Sequence, residues 1–205
     1  MIKSYSKINL FLKIIKKNKN GLHNIQSSVM LLNLYDQISI KKINTNQDEI
    51  KFIGKFKKNI NNKKNTISKS LHILRKQGLI RKSENYKIVI NKKIPVFAGL
   101  GGGTSNAAYI YKHFAKKRFN QKVIQEIEEK IGTDFKLFFN NQSQVVNLRK
   151  IEKIKKKHNF YFLLIYPYIK CSTKFIYSKV RNVDLMKDIS QDTFVKLIIA
   201  LRKNK

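Results

Sequence analysis

Apolar residues change their spacing several times along the chain, and each change marks an element. Residues 6–15 set Ile, Leu and Phe close together, the density expected of a buried strand. Residues 16–21 are polar and close on Asn20-Gly21, a strong short-range hairpin signal, so a turn is expected there. Strand patterns follow at residues 25–32, 37–43 and 49–56, and the Asn- and Lys-rich residues 57–65 read as a solvated loop. Asn65-Thr66 can cap a helix that carries Ile67, Leu71, Ile73 and Leu74 and ends near Gly78. Tyr86, Ile88 and Ile90 alternate with Lys87 and Val89, which is strand chemistry. Beyond Pro95 and a glycine cluster, Ala107, Ala108, Ile110, Tyr111, Phe114 and Ala115 recur at helical spacing. Val123, Ile124, Ile127 and Ile131 form a second amphipathic pattern stopped by Gly132. Residues 160–166 make an apolar strand pattern ended by Pro167, and residues 173–180 and 192–202 have helical spacing. Strands come first and mixed elements later, with no internal repeat, which argues an α+β fold.

Composition narrows the class. The chain has 205 residues, 42% hydrophobic and 11% aromatic, so a packed core is expected and wholesale disorder is not. No apolar run approaches the roughly 18 residues of a membrane span. The first eight residues lack the basic start and apolar stretch of a signal peptide. The single cysteine, Cys171, has no internal disulfide partner, and no Cys/His set has zinc-ligand spacing. A cytoplasmic protein without a metal-ligand set of its own is the expectation.

Charge at first points elsewhere. Forty-four Lys and Arg against 12 Asp and Glu give a formal +32, which invites a nucleic-acid reading. The lysines, however, recur from Lys3 to Lys205 with short runs at residues 16–17, 57–58, 63–64 and 155–157. A dedicated nucleic-acid module concentrates them on one face beside exposed aromatics. A compositional bias toward Lys, Asn and Ile is preferred, nucleic acid is not the expected partner, and the charge steers anionic ligands.

Four of the eight glycines fall in Gly99-Leu100-Gly101-Gly102-Gly103, between a strand-and-proline segment and a helix. Glycine admits positive φ and brings backbone N–H groups close to a ligand. A helix N-terminus adds free N–H groups and a positive dipole end, so an anion is stabilised there. Thr104 and Ser105 add hydroxyls, as donors or as oxygens facing a metal. The pattern is neither the Walker A loop nor the dinucleotide fingerprint. A ligand-free tight turn needs only one or two glycines, and three in a row cost entropy without an evident packing return.

Residues 92–108, Lys-Lys-Ile-Pro-Val-Phe-Ala-Gly-Leu-Gly-Gly-Gly-Thr-Ser-Asn-Ala-Ala, resemble the second motif of the superfamily of galactokinase, homoserine, mevalonate and phosphomevalonate kinases. The triple glycine with Thr-Ser-Asn-Ala-Ala is more particularly similar to the 4-diphosphocytidyl-2-C-methyl-D-erythritol kinases of non-mevalonate isoprenoid synthesis. Residues 6–12 resemble that family's first motif, Asn20-Gly21-Leu22-His23 its substrate-base loop, and Gly132-Thr133-Asp134 its catalytic Gly-x-Asp. Residues 172–177 resemble a later substrate-contacting segment, and the matching motifs run in order from about Lys3 to Val180.

The resemblance implies an ATP-dependent small-molecule kinase acting on a cytidine diphosphate derivative, with Mg²⁺ accompanying ATP. Asp134 would accept the proton of the attacking hydroxyl, and Lys7, beside it, would stabilise the transferring charge. Pro95, Ala98, Gly99, Leu100, Gly101, Gly102, Gly103, Thr104 and Ser105 would hold ATP. Asn9 and Thr173 would contact substrate, His23 would read the cytosine edge, and Tyr177 would stack on its ring or else pack in the core. Two positions depart from the family pattern: Leu22 replaces a common Tyr, and Phe135-Lys136 replaces the x-Pro that often follows the aspartate. The resemblance further implies two domains. Residues 1–155 form an N-terminal kinase domain resembling a small-subunit ribosomal-protein fold. Residues 156–205 begin a C-terminal domain expected to be shortened, because no glycine follows Gly132 to supply a third glycine-rich motif. Three readings stay open beside this one: a sister kinase for homoserine or a sugar, a basic RNA-binding protein with the same N-terminal fold, and a binding paralogue without turnover.

Overall fold

The computed structural model describes residues 1–17, 23–58, 60–116, 118–147, 150–154, 160–166 and 201–202. Strand β1 is Ile2–Lys17 and pairs with β2, His23–Ile43; both strands run through two compact units.

The first unit comprises Met1–Ser6, Leu32–Pro95 and Gly101–Phe139. Here β2 pairs antiparallel with β4, Asn85–Asn91, placing Ile38 opposite Ile90 and Ile40 opposite Ile88. Strand β3, Glu49–Ile53, lies parallel to β4, with Ile50 opposite Ile88 and Phe52 opposite Ile90. A parallel pair cannot be joined by a hairpin, and helix α1, Thr66–Lys76, supplies the crossover. Asn65 starts α1 as expected: its side chain accepts from the N–H groups of Ile67 and Ser68, and the Ser68 hydroxyl accepts from the Asn65 N–H. Helix α2, Gly102–Ala115, packs on α1, and α3, Gln121–Lys130, completes the layer. A 3-10 helix, Thr133–Phe139, follows and packs on α2 and α3. The core between sheet and helices holds Ile38, Ile88, Ile90, Ile67, Leu74, Ala107, Tyr111, Val123, Ile127 and Phe138, all fully buried.

The second unit comprises Lys7–Leu31, Val96–Leu100 and Asn140–Lys205. Its sheet adds β5, Gln142–Val145, antiparallel to β2 with Val29 opposite Ser143, and then β6, Ile151–Lys153. Ile8, Ile14, Val29, Met30 and Val145 are buried in it. A two-residue strand β7, Phe160–Tyr161, pairs with β8, Leu201–Arg202.

Several expectations need correction. The two strands expected at residues 25–32 and 37–43 are one strand, because the polar residues between them do not break it; Asp36 is buried there with partners of its own. The strand expected to reach residue 56 stops at Ile53, where Gly54 turns the chain at φ 91°. Beyond Tyr161, residues 162–166 are not in a strand. Leu201 and Arg202 are in a strand rather than at the end of a helix, and residues 192–200 lie outside the described residues. So do the helix expected at residues 173–180 and residues 18–21 of the expected hairpin turn. The 3-10 helix, β5 and β6 were not expected.

Candidate active site

The glycine turn has the backbone its composition implies, with one qualification. Gly99 and Gly101 adopt φ 71° and 69°, in the left-handed region where a side chain is strained. Gly101 is the N-cap of α2 and offers no side chain to the helix, and no acidic residue occupies the first turn. The N–H groups that open a helix lack intrahelical partners, so this uncapped positive end is suited to an anion. Gly102 and Gly103 have a different reason to be glycine. A Cβ on Gly102 would stand 3.0 Å from Cγ2 of Ile94, and one on Gly103 would stand 3.3 Å from Cγ2 of Thr66. The glycine run therefore does have a packing return, contrary to expectation, at the two positions where α2 begins.

The other residues expected at the turn divide by depth. Ala98 and Leu100 are each 2% exposed and pack inward, so only their backbone could face a ligand. Pro95 closes the segment that follows β4, where Ile94 is fully buried. Ser105 corrects an expectation: its hydroxyl is fully buried, donating to the Tyr5 carbonyl and lying 2.8 Å from the Ser4 hydroxyl. Its N–H donates to the Gly101 carbonyl. Ser105 anchors α2 to β1 rather than presenting a hydroxyl to a ligand or metal.

Thr104 joins the turn to the expected catalytic motif. Its Oγ1 lies 2.8 Å from the point where a Cβ on Gly132 would stand, so a side chain there would force Thr104 to shift, and glycine lets the chain pass this close to the first turn of α2. Gly132 leads directly into Thr133 and Asp134, the first residues of the 3-10 helix. The Phe135 N–H donates to the Gly132 carbonyl at 3.2 Å, and the Phe135 ring is fully buried against Tyr111 and Phe139. Asp134 is partly exposed and lies two residues beyond the close approach of Gly132 to Thr104. Lys136, one of the departures from the family pattern, pairs with Glu128 at 2.8 Å.

In the second unit, Lys7 and Asn9 lie on β1 and are each 7% exposed. The Lys7 N–H donates to the Leu100 carbonyl, which ties β1 to the glycine turn. Lys7 Nζ donates to Asn9 Oδ1 at 2.6 Å, Asn9 Nδ2 donates to Ser27 Oγ at 2.7 Å, and Ser27 donates to the Phe11 carbonyl. Asn9 therefore holds the ammonium of Lys7. Ser27, fully buried, completes the relay and was not singled out from sequence, where a serine in a strand reads as filler. His23 opens β2; its side chain, like Leu22, Thr173 and Tyr177, lies outside the described residues. Among the described residues no cluster of three or more His, Cys, Asp or Glu could hold a metal ion.

Comparison with known proteins decides the family. Residues 65–138 match the GHMP kinases N terminal domain, the stretch from the cap of α1 to the 3-10 helix. A 4-diphosphocytidyl-2-C-methyl-D-erythritol kinase of Francisella philomiragia is 33% identical over 205 residues, covering 94% of this chain and 71% of the relative. The chain belongs to this kinase family. The enzyme of the same name from Pelagibacter ubique is 42% identical over 183 residues, which cover 87% of this chain and 64% of the relative. The chain thus spans a little under two thirds of the length of that relative. In fold, it matches a crystal structure of 4-(cytidine 5'-diphospho)-2C-methyl-D-erythritol kinase with TM-score 0.67 and 17% identity, over 89% of this chain and 65% of the other. The Methanococcus jannaschii mevalonate kinase follows at TM-score 0.60 and 22% identity, over 89% and 67%. The kinase fold with its mixed α and β elements is therefore that of the superfamily, and no helix among the described residues is long and apolar enough to cross a membrane.

Proposed function

We propose that this chain transfers the γ-phosphoryl group of ATP to the 2-hydroxyl of 4-diphosphocytidyl-2-C-methyl-D-erythritol, in the non-mevalonate route to isoprenoid precursors. The observation that supports this reading is the approach of Gly132, two residues before Asp134, to Thr104 in the first turn of the uncapped helix α2. Phosphoryl transfer requires mainly positioning and charge stabilisation, and these are the two things such an arrangement offers. The turn from Gly99 to Thr104 holds the phosphates through backbone N–H groups. Asp134 accepts the proton of the attacking hydroxyl as the new O–P bond forms and the bond to the β-phosphate oxygen breaks, releasing ADP. Lys7, held by Asn9 and Ser27, stabilises charge on the transferring group. Mg²⁺ enters with ATP on its phosphates, needing few protein ligands. His23, Thr173 and Tyr177 contact the cytidyl substrate. Residues 1–155 are read as the kinase N-terminal domain, resembling a ribosomal-protein fold, residues 156–205 as part of the next, and the cytoplasm as the site of action.

The test is to incubate the purified chain with MgATP and the diphosphocytidyl substrate and follow phosphorus NMR. A new phosphomonoester resonance, matched by ADP and absent with homoserine or mevalonate, is expected. Turnover of either of those alcohols, without turnover of the cytidyl compound, would instead assign a sister activity.

A further inference from the structure

Beneath the glycine turn lies a buried charge that the mechanism above does not use. Asp36 is fully buried in the middle of β2 and Lys92, just past β4, is 2% exposed. The Asp36 carboxylate receives three donors: Lys92 Nζ on Oδ2, and the N–H groups of Lys93 at 2.8 Å and Ile94 at 2.9 Å on Oδ1. The backbone of Lys92 is fastened as well, its N–H donating to the Ile53 carbonyl at 2.8 Å. A buried ion pair is a poor source of net stability, since apolar residues of equal volume often serve as well or better. Its value is geometric, because three charge-assisted hydrogen bonds converging on one rigid carboxylate fix three consecutive residues. Those residues are the floor of the turn. Ile94 Cγ2 and Lys92 Nζ lie 3.0 and 3.4 Å from the Cβ position of Gly102, the first residue of α2.

We propose that Asp36 is a positioning residue for the phosphate turn: by clamping residues 92–94 it sets where Gly102 rests and hence where the opening N–H groups of α2 point. The inference rests on the nucleotide reading given above and extends it to a residue that touches no ligand. A side chain that merely stabilised the fold would change the melting temperature but leave the affinity of the folded molecules alone. A positioning residue changes that affinity too, and does so through the phosphates.

The experiment titrates MgATP and inorganic tripolyphosphate into the wild type, Asp36→Ala and Asp36→Asn, well below each melting temperature and with folding checked by near-ultraviolet circular dichroism. For Asp36→Ala both affinities are expected to fall by about tenfold or more and by a common factor, as displaced binding groups lose affinity steeply. Asp36→Asn keeps an acceptor for the Lys93 and Ile94 N–H groups and should fall between the two. Folded Asp36→Ala with wild-type affinity for both ligands overturns the proposal. If Asp36→Ala does not fold, Asp36→Asn decides, and wild-type affinity in that variant overturns it. A wild type that binds neither ligand would overturn the nucleotide reading itself, and this inference with it.

Discussion

Asp134 owes its place to its neighbours. Gly132 lets the chain close on Thr104, and Phe135, fully buried among Tyr111 and Phe139, locks the start of the 3-10 helix. Replacing Asp134 with Asn keeps the shape of the side chain and removes the carboxylate that the proposed mechanism uses as proton acceptor. Asp134→Asn is expected to lower kcat by about 10²-fold or more while leaving ATP affinity nearly unchanged. Titration calorimetry beside a coupled turnover assay checks both halves, and normal turnover in the variant would remove Asp134 from the mechanism. A second residue carries strain without a catalytic role. Lys116 ends α2 at φ 44°, a left-handed conformation that costs a non-glycine residue about 1–2 kcal/mol. Lys116→Gly should therefore stabilise the fold by up to about 1 kcal/mol, since glycine's greater freedom in the unfolded chain offsets part of the relief. Urea unfolding reads the change, and a loss of stability would show that the lysine side chain contributes more than the strain removes.

Helices α1, α2 and α3 were legible because their apolar residues recur at helical spacing and because Asn65 caps α1 locally; the Asn120 cap of α3 was not singled out from sequence. What escaped was set by contacts far along the chain. The two halves of β2 read as separate strands because Asn33 and Asp36 interrupt the apolar pattern, yet Asp36 is satisfied by residues 56 to 58 positions later. The segment Gln142–Val145 is polar by composition and becomes a strand only because β2 offers it an edge. In the glycine turn, sequence indicated that positive φ would be used, but not that Gly99 and Gly101 adopt it, nor the close approach of Ile94 and Thr66 to Gly102 and Gly103. The packing around α2 has a pH signature. Lys112, donating to the Phe138 carbonyl, is pushed down by burial to about 8, and Tyr109 is pushed up by burial to about 12. Between about 8 and the ordinary lysine value the unfolded chain holds a proton at Lys112 that the folded one has released, so this group makes stability rise with pH. Above the ordinary tyrosine value the folded state holds the Tyr109 proton that the unfolded one loses, so that group makes stability fall as pH climbs toward 12. Lys112→Met should flatten the rise while leaving the fall, as thermal melts across alkaline pH would report. An unaltered slope in the variant would mean that Lys112 does not titrate in that window.

Across the whole chain, the formal charge of +32 acts against the compact state while favouring the ligand. The few acids are already engaged where the structure describes them: Asp48 takes a bidentate hold on Arg75, Glu126 meets Lys76 and Lys130, and Asp36 meets Lys92. The 44 Lys and Arg outnumber the 12 Asp and Glu more than three to one, and drawing such charges together on folding is repulsive at long range. That repulsion is screened over a Debye length that shrinks from about 30 Å at 0.01 M to about 10 Å at 0.1 M salt. The melting temperature is accordingly expected to rise with sodium chloride over this range, the reverse of what a fold held together by surface ion pairs would do. The same field draws polyphosphates toward the protein, so the association rate of ATP should fall over the range in which stability rises. Stopped-flow binding and thermal melts on one set of salt concentrations test the two together. A melting temperature that falls with salt would show that the surface ion pairs outweigh the net charge. An association rate indifferent to salt would show that the lysines, spread evenly from Lys3 to Lys205, do not steer the nucleotide at all.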